Sequence, residues 1–386
     1  MNKKILILFV RRGYLEIEYI LPVLKILKEK YSIFTYFEKQ KTYKSLQRQK
    51  DVYDEWTKIN SNYYILNKTD NLIFKIILKF LIFFVLGNNL IFKKIVSKVH
   101  SLNNVCKKLN ISTSNVKYIL SDLNTHSETL NQILLDKKKK IKVYFFSPQP
   151  QIFKPKSKIV NTEVRPFLKY IDTLLINSKY DLKYWSNFIE EKNIKIIGPS
   201  IFFNFKKKKN LKKYNPKILI SYNCVKPKYQ AKEIKNIKKF LTKILELKLK
   251  VVIKLHPEKQ EKYIFDLVKE IDSKNISFSN KNLKYLMQEN ILVHICSIKT
   301  AAASYSNYFK IPTFGFSQYY HNYDPNSFQI KHNLIKEINN FEDFKKEVNL
   351  IIKGDRNLAF KQQNSFREIY NMPHNIDKFI LDLFND

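Results

Sequence analysis

Apolar positions in this chain follow two rhythms. Short runs rich in β-branched and aromatic residues stop abruptly at polar residues, and the stretches between them repeat apolar residues at helical spacing. The first run, residues 4–10, ends at Arg11-Arg12-Gly13-Tyr14. Ile17, Ile20, Leu21, Leu24 and Leu27 then mark one face of a helix before a second run at 32–37. This opening predicts a βαβ unit of a Rossmann-like half, although Arg11-Arg12-Gly13 lacks the glycine-rich dinucleotide fingerprint. Further strands are predicted at 116–120, 142–146, 173–176 and 194–197. They end at Ser121-Asp122, Ser147-Pro148-Gln149-Pro150, Asn177-Ser178 and Gly198-Pro199-Ser200. Thr125-His126-Ser127-Glu128 reads as a capping box for the helix after the strand at 116–120.

The pattern then lapses over 202–216, where Lys206 to Lys209 form a solvated run, and this segment predicts a linker. A second α/β half follows. It has strands at 217–221, 250–255, 291–296 and 313–316, a helix at 231–247, and closing helices at 341–352 and 364–384. The expected organisation is a first domain over 1–201, a linker over 202–216, a second domain over 217–360 and a closing helical segment over 361–386.

Two strand ends in the second half carry the most chemistry. One is Lys254-Leu255-His256-Pro257, the other Cys296-Ser297-Ile298-Lys299-Thr300 leading into Ala301-Ala302-Ala303. Parallel strands deliver polar groups to the carboxyl edge of their sheet, where an open α/β fold binds ligands. His256 can donate to a phosphate oxygen and Pro257 pre-sets a helix start. Ser297 and Thr300 can join their hydroxyls to the free amides of a helix N-terminus. Lys254 alternates with His256 along the strand, and Ser221 and Asn223 end the first strand of the same half. Either corner alone reads as an ordinary capped turn. Two of them, one helix-and-strand unit apart, predict a nucleotide-sugar phosphate seat.

Composition narrows the partners. The chain has 386 residues and a formal charge of +36, from 70 Lys+Arg against 34 Asp+Glu. Arginine occurs only at Arg11, Arg12, Arg48, Arg165, Arg356 and Arg367, so the positive charge is dispersed lysine. Base readers lean on the arginine fork and no nucleic-acid motif is present, so nucleic acid is not the expected partner. Five glycines leave no Walker-type loop. Cys106, Cys224 and Cys296 show no paired spacing, which argues against a zinc site or disulfide framework and fits a reducing cytoplasm. The run 4–10 is too short for a signal peptide and is followed by two arginines. Residues 72–99 stand apart as an apolar stretch in which Lys75, Lys79, Lys93, Lys94 and Lys98 share one helical sector. Its uncharged core, 80–92, is shorter than the ~20 residues of a spanning helix. It reads either as a basic amphipathic helix on an anionic membrane surface or as a helix packed on the first sheet.

These features resemble a family. The opening Arg12-Gly13-Tyr14-Leu15-Glu16-Ile17-Glu18, the strand–His256-Pro257 corner and the strand–Ser297-x-x-Thr300 corner look like GT-B glycosyltransferases of bacterial capsule and surface-polysaccharide synthesis. The nearest flavour is the group that includes sialyl-, polysialyl- and Kdo-transferases and teichoic-acid polymerases. The resemblance implies an α/β fold of two Rossmann-like domains facing across a cleft, with the last helix crossing back to the first. It implies a peripheral enzyme of the cytoplasmic membrane face, without metal or other cofactor, that moves sugar from a CMP- or UDP-sugar to a glycan or lipid-linked acceptor. His256, Pro257, Ser297 and Thr300 would hold the donor phosphate, with Lys254, Ser221 and Asn223 beside them. Arg12, Gly13 and Gln149 fall on the acceptor side.

Glycosyl transfer needs a base for the acceptor hydroxyl and positive charge or dipoles for the departing phosphate. His256 with Lys254 serves the second need. For the base, Glu18 and Asp122 lead, with Glu16 and His126 next, because the chain lacks the paired acids before glycine seen in some of these transferases. UDP-GlcNAc 2-epimerases share the fold, the early Glu and the His-Pro corner. Their Ser-Gly-Gly phosphate loop has no counterpart in Ser297-Ile298-Lys299-Thr300, which favours transfer over epimerisation.

Overall fold

The computed structural model describes residues 3–11, 13–66, 100–123, 127–136, 141–147, 168, 170–203, 215–222, 230–255, 262–271, 274–297, 302–316, 327–370 and 372–385. The segment 72–99 and residues 204–214 of the predicted linker over 202–216 lie outside them. The chain divides into two compact units, residues 1–205 with 370–386, and residues 206–369.

In the first unit the order is β1 (Lys4–Val10), α1 (Tyr14–Leu27), β2 (Tyr31–Phe37), α2 (Gln40–Gln47), α3 (Lys50–Thr57), β3 (Asn60–Ile65) and α4 (Leu102–Leu109). β4 (Val116–Asp122), α5 (Glu128–Asp136), β5 (Lys142–Phe146), β6 (Thr173–Ile176), α6 (Lys179–Trp185) and β7 (Ile194–Ile196) follow. The second unit runs β8 (Lys217–Tyr222), α7 (Gln230–Leu245), β9 (Lys250–Leu255), α8 (Lys262–Ile271), β10 (Ile276–Ser279), α9 (Leu283–Leu286) and β11 (Ile291–Cys296). It continues through α10 (Ala302–Phe309), β12 (Thr313–Phe316), α11 (Phe328–Lys331), β13 (Lys336–Ile338), α12 (Phe341–Ile352) and α13 (Asn357–Tyr370), after which α14 (Ile376–Leu383) belongs to the first unit.

Both sheets are parallel. Their strand orders are β3-β2-β1-β4-β5-β6-β7 and β10-β9-β8-β11-β12-β13. The continuous apolar runs arise because helices cover both faces of each sheet. In β1 the period of two sends Leu6, Leu8 and Val10 into one core with α1, α3 and α14, and Ile5, Ile7 and Phe9 into another with α4, α5 and α6. In the second sheet Ile218, Ile220, Val251, Ile253, Val293 and Ile295 pack under α7, α8 and α12. The opposite face is different. There Cys296 meets Ala302 and Ala303 of α10, and the strands also place His294 and Thr313, both fully buried.

Two sequence expectations are corrected. The predicted helix 364–384 is two helices, α13 and α14, because Pro373 cannot continue a helix and Asn375 caps the next one, accepting the Lys378 amide at 3.0 Å. The α5 N-terminus is capped by Ser127, which accepts the Leu130 amide at 2.9 Å and moves the cap inside the expected box, whose Thr125 lies outside the described residues.

The return of α14 onto the first unit is built by strand tyrosines. Tyr31 and Tyr118 donate to the Phe384 carbonyl at 2.5 and 2.9 Å, and Tyr144 donates to the Leu383 carbonyl at 3.0 Å. They satisfy carbonyls that the helix end leaves open. The Phe384 ring is wholly buried against Tyr118 and Tyr144. Gly198 makes room for the same segment. Its φ is +79°, and a Cβ there would lie 3.1 Å from Met372 Cγ and 3.2 Å from the Tyr370 carbonyl oxygen.

Candidate functional site

In an open parallel sheet the ligand crevice forms beyond the carboxyl ends of the strands where the winding reverses. The strand orders put these points between β1 and β4 in the first unit and between β8 and β11 in the second. Each point is built from polar residues that terminate apolar strands, but the residues differ in kind.

The first edge is acidic. Asp122 is the last residue of β4 and has no exposed surface; Ser121 pairs in register with Phe9, which sets Asp122 beside the end of β1. Glu16 and Glu18, on the first turns of α1, are 2% and 3% exposed. The Glu16 carboxylate accepts the Arg11 amide at 2.8 Å, tying the end of β1 to the helix start. Glu38, which follows β2, takes the Ser127 hydroxyl and sits 3.7 Å from Arg11 Nε. Gly13 is buried at the N-terminus of α1. Arg11 Nη1 is buried and has no hydrogen-bond partner among the described residues. The structure thus gathers Asp122, Glu16, Glu38 and Arg11 at one edge. Glu16 is tied to the backbone at the end of β1, while Asp122 and Glu18 are further buried carboxylates in this part of the unit. Arg12, His126 and Gln149 lie outside the described residues.

The second edge carries hydroxyls and a lysine. Ser221, near the end of β8, is paired in register with Lys254 on one side and Cys296 on the other, so Ser297 stands one residue beyond it. Lys254 and Ser297 are half-buried, and Ser221 is 7% exposed. His256, Pro257, Thr300 and Asn223 lie outside the described residues.

Beneath this edge runs a hydrogen-bonded chain that the strand pattern does not announce. Ser221 Oγ lies 2.7 Å from His294 Nε2, and His294 Nδ1 lies 3.0 Å from Ser306 Oγ on α10. Thr313 Oγ1 donates to Ser306 Oγ at 2.6 Å, and Gln362 clamps Thr313 by accepting its amide and donating to its carbonyl, both at 2.8 Å. Burial pushes the His294 pKa down to about 3, so the ring is neutral. It also pushes the neighbouring Cys296 thiol up, so that this cysteine is no nucleophile. Glu38, Arg11, His294 and Ser306 were not among the sequence candidates. Glu38 and Arg11 carry the same signal as Asp122, a polar residue just past an apolar strand. His294 carries a different one, a polar residue inside an apolar strand.

No helix among the described residues is long and apolar enough to cross a membrane. No protein-family model matches the sequence, and no curated protein matches it. Solved structures do resemble it. UDP-GlcNAc 2-epimerase from Neisseria meningitidis, solved bound to UDP-GlcNAc, is 12% identical over 99% of this chain and 100% of its own, with a TM-score of 0.62. S. aureus MnaA, solved with UDP, is 11% identical over 98% of this chain and 95% of its own, with a TM-score of 0.59. CalG4, the calicheamicin glycosyltransferase, is 9% identical over the whole of both chains, with a TM-score of 0.54. At these identities the likeness speaks for architecture, and with the two parallel sheets it shows that the chain has the two-domain α/β fold of GT-B glycosyltransferases and UDP-GlcNAc 2-epimerases.

Proposed function

We propose that the protein is a glycosyltransferase that moves a sugar from a CMP- or UDP-sugar to a growing surface glycan. The observation that carries this reading is the chemical split between the two carboxyl edges. The second edge offers Ser221, Ser297 and Lys254, donors suited to a phosphate, while the first offers the buried carboxylates Asp122 and Glu18, suited to taking a proton. Structural neighbours solved with UDP or UDP-GlcNAc support a nucleotide-sugar ligand. His256, Pro257, Thr300 and Asn223 complete the donor side of this reading, and Arg12, Gly13 and Gln149 the acceptor side. The lysine sector of 72–99 supports association with an anionic membrane surface.

A second reading is epimerisation at C2 of a UDP-sugar. It is favoured by the likeness to 2-epimerases and by the same buried carboxylates, which can also remove a carbon-bound proton. The two are separated by incubating the protein with UDP- and CMP-sugars in deuterated water, with and without an oligosaccharide acceptor. Transfer releases nucleotide in proportion to acceptor and leaves C2 unlabelled. Acceptor-independent turnover with deuterium at C2 assigns the epimerase, and failure to bind any of the nucleotides removes both readings.

A further inference from the structure

Edge strands are commonly blunted by charge or cover. Edge strand β3 instead carries Tyr63, 40% exposed, at the rim of an aromatic cluster in the first unit. The Tyr63 ring stacks on Tyr43 of α2, with centroids 5.3 Å and planes 21° apart, and leans on Trp56 of α3, also at 5.3 Å. Trp56 has no exposed surface. Its Nε1 donates at 3.0 Å to Thr35 Oγ1, and Thr35 is the register partner of Tyr63 on β2. The Tyr63 ring is therefore held from below and presents its free side to water. A single exposed aromatic is ordinary, so the case rests on what surrounds it.

Three phenol hydroxyls converge beside this ring. Tyr43 OH lies 3.2 Å from Tyr53 OH of α3 and 3.1 Å from Tyr63 OH. Each phenol carries one hydrogen, and the two contacts use two of the three. One hydrogen is therefore directed out of the triad, and none of the three hydroxyls has another partner among the described residues. A flat apolar face next to a ready hydroxyl donor matches a pyranose, which has an apolar C–H face and a polar rim.

Charge narrows the class of sugar. Over residues 39–58, which include α2 and α3, exposed Lys39, Lys41, Lys44, Arg48, Lys50 and Lys58 stand against Asp51, Asp54 and Glu55. Glu55 is already paired with Lys25 at 3.0 Å, whereas none of the six cations has an ion pair among the described residues. Lys39 and Lys50 lie one turn from Tyr43 and Tyr53 along their helices. The surroundings of the triad thus favour a carboxylate, which the buried acids at the first reversal point repel.

The triad is also tied to the candidate site. Thr42 Oγ1 donates to the Arg11 carbonyl at 2.5 Å, which fastens the first turn of α2 to the end of β1. β3 lies two strand spacings from β1, about 10 Å, so a chain that reaches from the reversal point to Tyr63 is longer than one sugar. We propose that Tyr43, Tyr53 and Tyr63 form a distal subsite for an acidic oligosaccharide. One pyranose lays its apolar face on the Tyr63 ring, a sugar oxygen accepts the free phenol hydrogen, and the carboxylates of the chain lie among the cations of α2 and α3. This rests on the glycosyltransferase reading for its role, holding the acceptor chain away from its reacting end, and it names that acceptor as an acidic glycan.

The test is calorimetric titration of the full chain, without nucleotide, with hyaluronan oligosaccharides, which carry carboxylates, and with neutral chito-oligosaccharides of equal length. Hyaluronan oligosaccharides are expected to bind and the neutral series to bind more weakly. Tyr63→Ala is expected to weaken hyaluronan binding about tenfold, and Tyr63→Phe, which keeps the ring and loses a hydroxyl, about threefold. Titrations of the same variants with UDP and CMP are expected to match wild type. Should Tyr63→Ala fail to fold, Tyr63→Leu gives the reading, since it fills the place without a flat ring. Hyaluronan binding that is equal in wild type and Tyr63→Ala reflects only diffuse attraction to a chain of charge +36 and overturns the proposal. Chito-oligosaccharides that bind as tightly as hyaluronan, or binding of neither series, overturn it as well. A wild-type protein that binds hyaluronan through Tyr63 but binds neither UDP nor CMP supports the subsite and overturns the transfer reading alone.

Discussion

The two sheets share a winding pattern yet end in opposite chemistry. At the first reversal point stand the buried carboxylates Asp122, Glu16, Glu18 and Glu38, the last 3.7 Å from Arg11 Nε; at the second, Ser221, Ser297 and Lys254 stand beside a neutral histidine. Topology therefore decides where a ligand crevice forms, and the residues ending each strand decide which ligand it suits. Unit charges ~4 Å apart interact by about 4 kcal/mol at an effective dielectric near 20, so several carboxylates strongly disfavour a phosphate at the first edge. The same group of carboxylates is well placed to accept a proton. The hydroxyls of Ser221 and Ser297 and the Lys254 ammonium at the second edge favour a phosphate and offer no strong base.

The strongest attack on this division is Asp122→Asn. The substitution keeps the shape of a fully buried side chain, so nucleotide affinity should be unchanged while turnover falls on the order of 100-fold or more. Single-turnover transfer from a labelled donor measures it, and an equal loss of nucleotide affinity would show that the first edge also binds the donor.

On the other side, Ser297→Ala and His256→Ala should each weaken nucleotide binding by roughly ten- to hundred-fold, with the melting temperature unchanged. Calorimetric titration with UDP and CMP is the measurement. Unaltered affinity in both variants would move the phosphate away from the second edge.

A third contrast concerns protons. The unfolded chain protonates the His294 ring near pH 6.5, whereas the folded chain does so only near pH 3. Above pH 6.5 the ring is neutral in both states and contributes no pH dependence. As pH falls from 6.5 toward 3 the unfolded state gains a proton that the folded state refuses, so stability is lost at about 1.4 kcal/mol per pH unit. Urea midpoints between pH 7 and 5 should therefore fall more steeply for wild type than for His294→Phe, by about 2 kcal/mol over the interval. Parallel profiles would mean that the ring is solvated.

The smallest effect separates structure from chemistry within the acidic edge. Glu16→Gln weakens one bond to the Arg11 amide and should cost about 1 kcal/mol in stability, with turnover close to wild type. A loss of turnover as large as that of Asp122→Asn would give Glu16 a chemical role and reduce the contrast between the carboxylates.

Much of this architecture can be read locally. The strands at 142–146, 173–176, 291–296 and 313–316 and the helix at 341–352 coincide with their predicted bounds, because each is an unbroken apolar or amphipathic run with a sharp polar stop. Asp122, Ser221 and Ser297 were visible for the same reason. Pro373 also signalled a helix break, but the amphipathic spacing on either side of it masked the signal. Strand β3 was missed because it is an edge strand whose Asn60, Ser61 and Asn62 give no apolar run.

The sequence by itself determined the alternation of strands and helices, and with it the parallel sheets and the polar character of their carboxyl edges, because a side chain's preference for core or water depends on its own chemistry and that of its near neighbours. Tertiary structure alone decided which polar groups share protons. Glu38 meets Ser127 across 89 positions, Ser221 meets His294 across 73, and the three tyrosines reach the carbonyls of the last helix from strands hundreds of residues earlier. Such pairs depend on the strand register and on the crossover that sets β11 beside β8, and a hydrogen bond formed over about 3 Å leaves no trace in the spacing of residues along the chain.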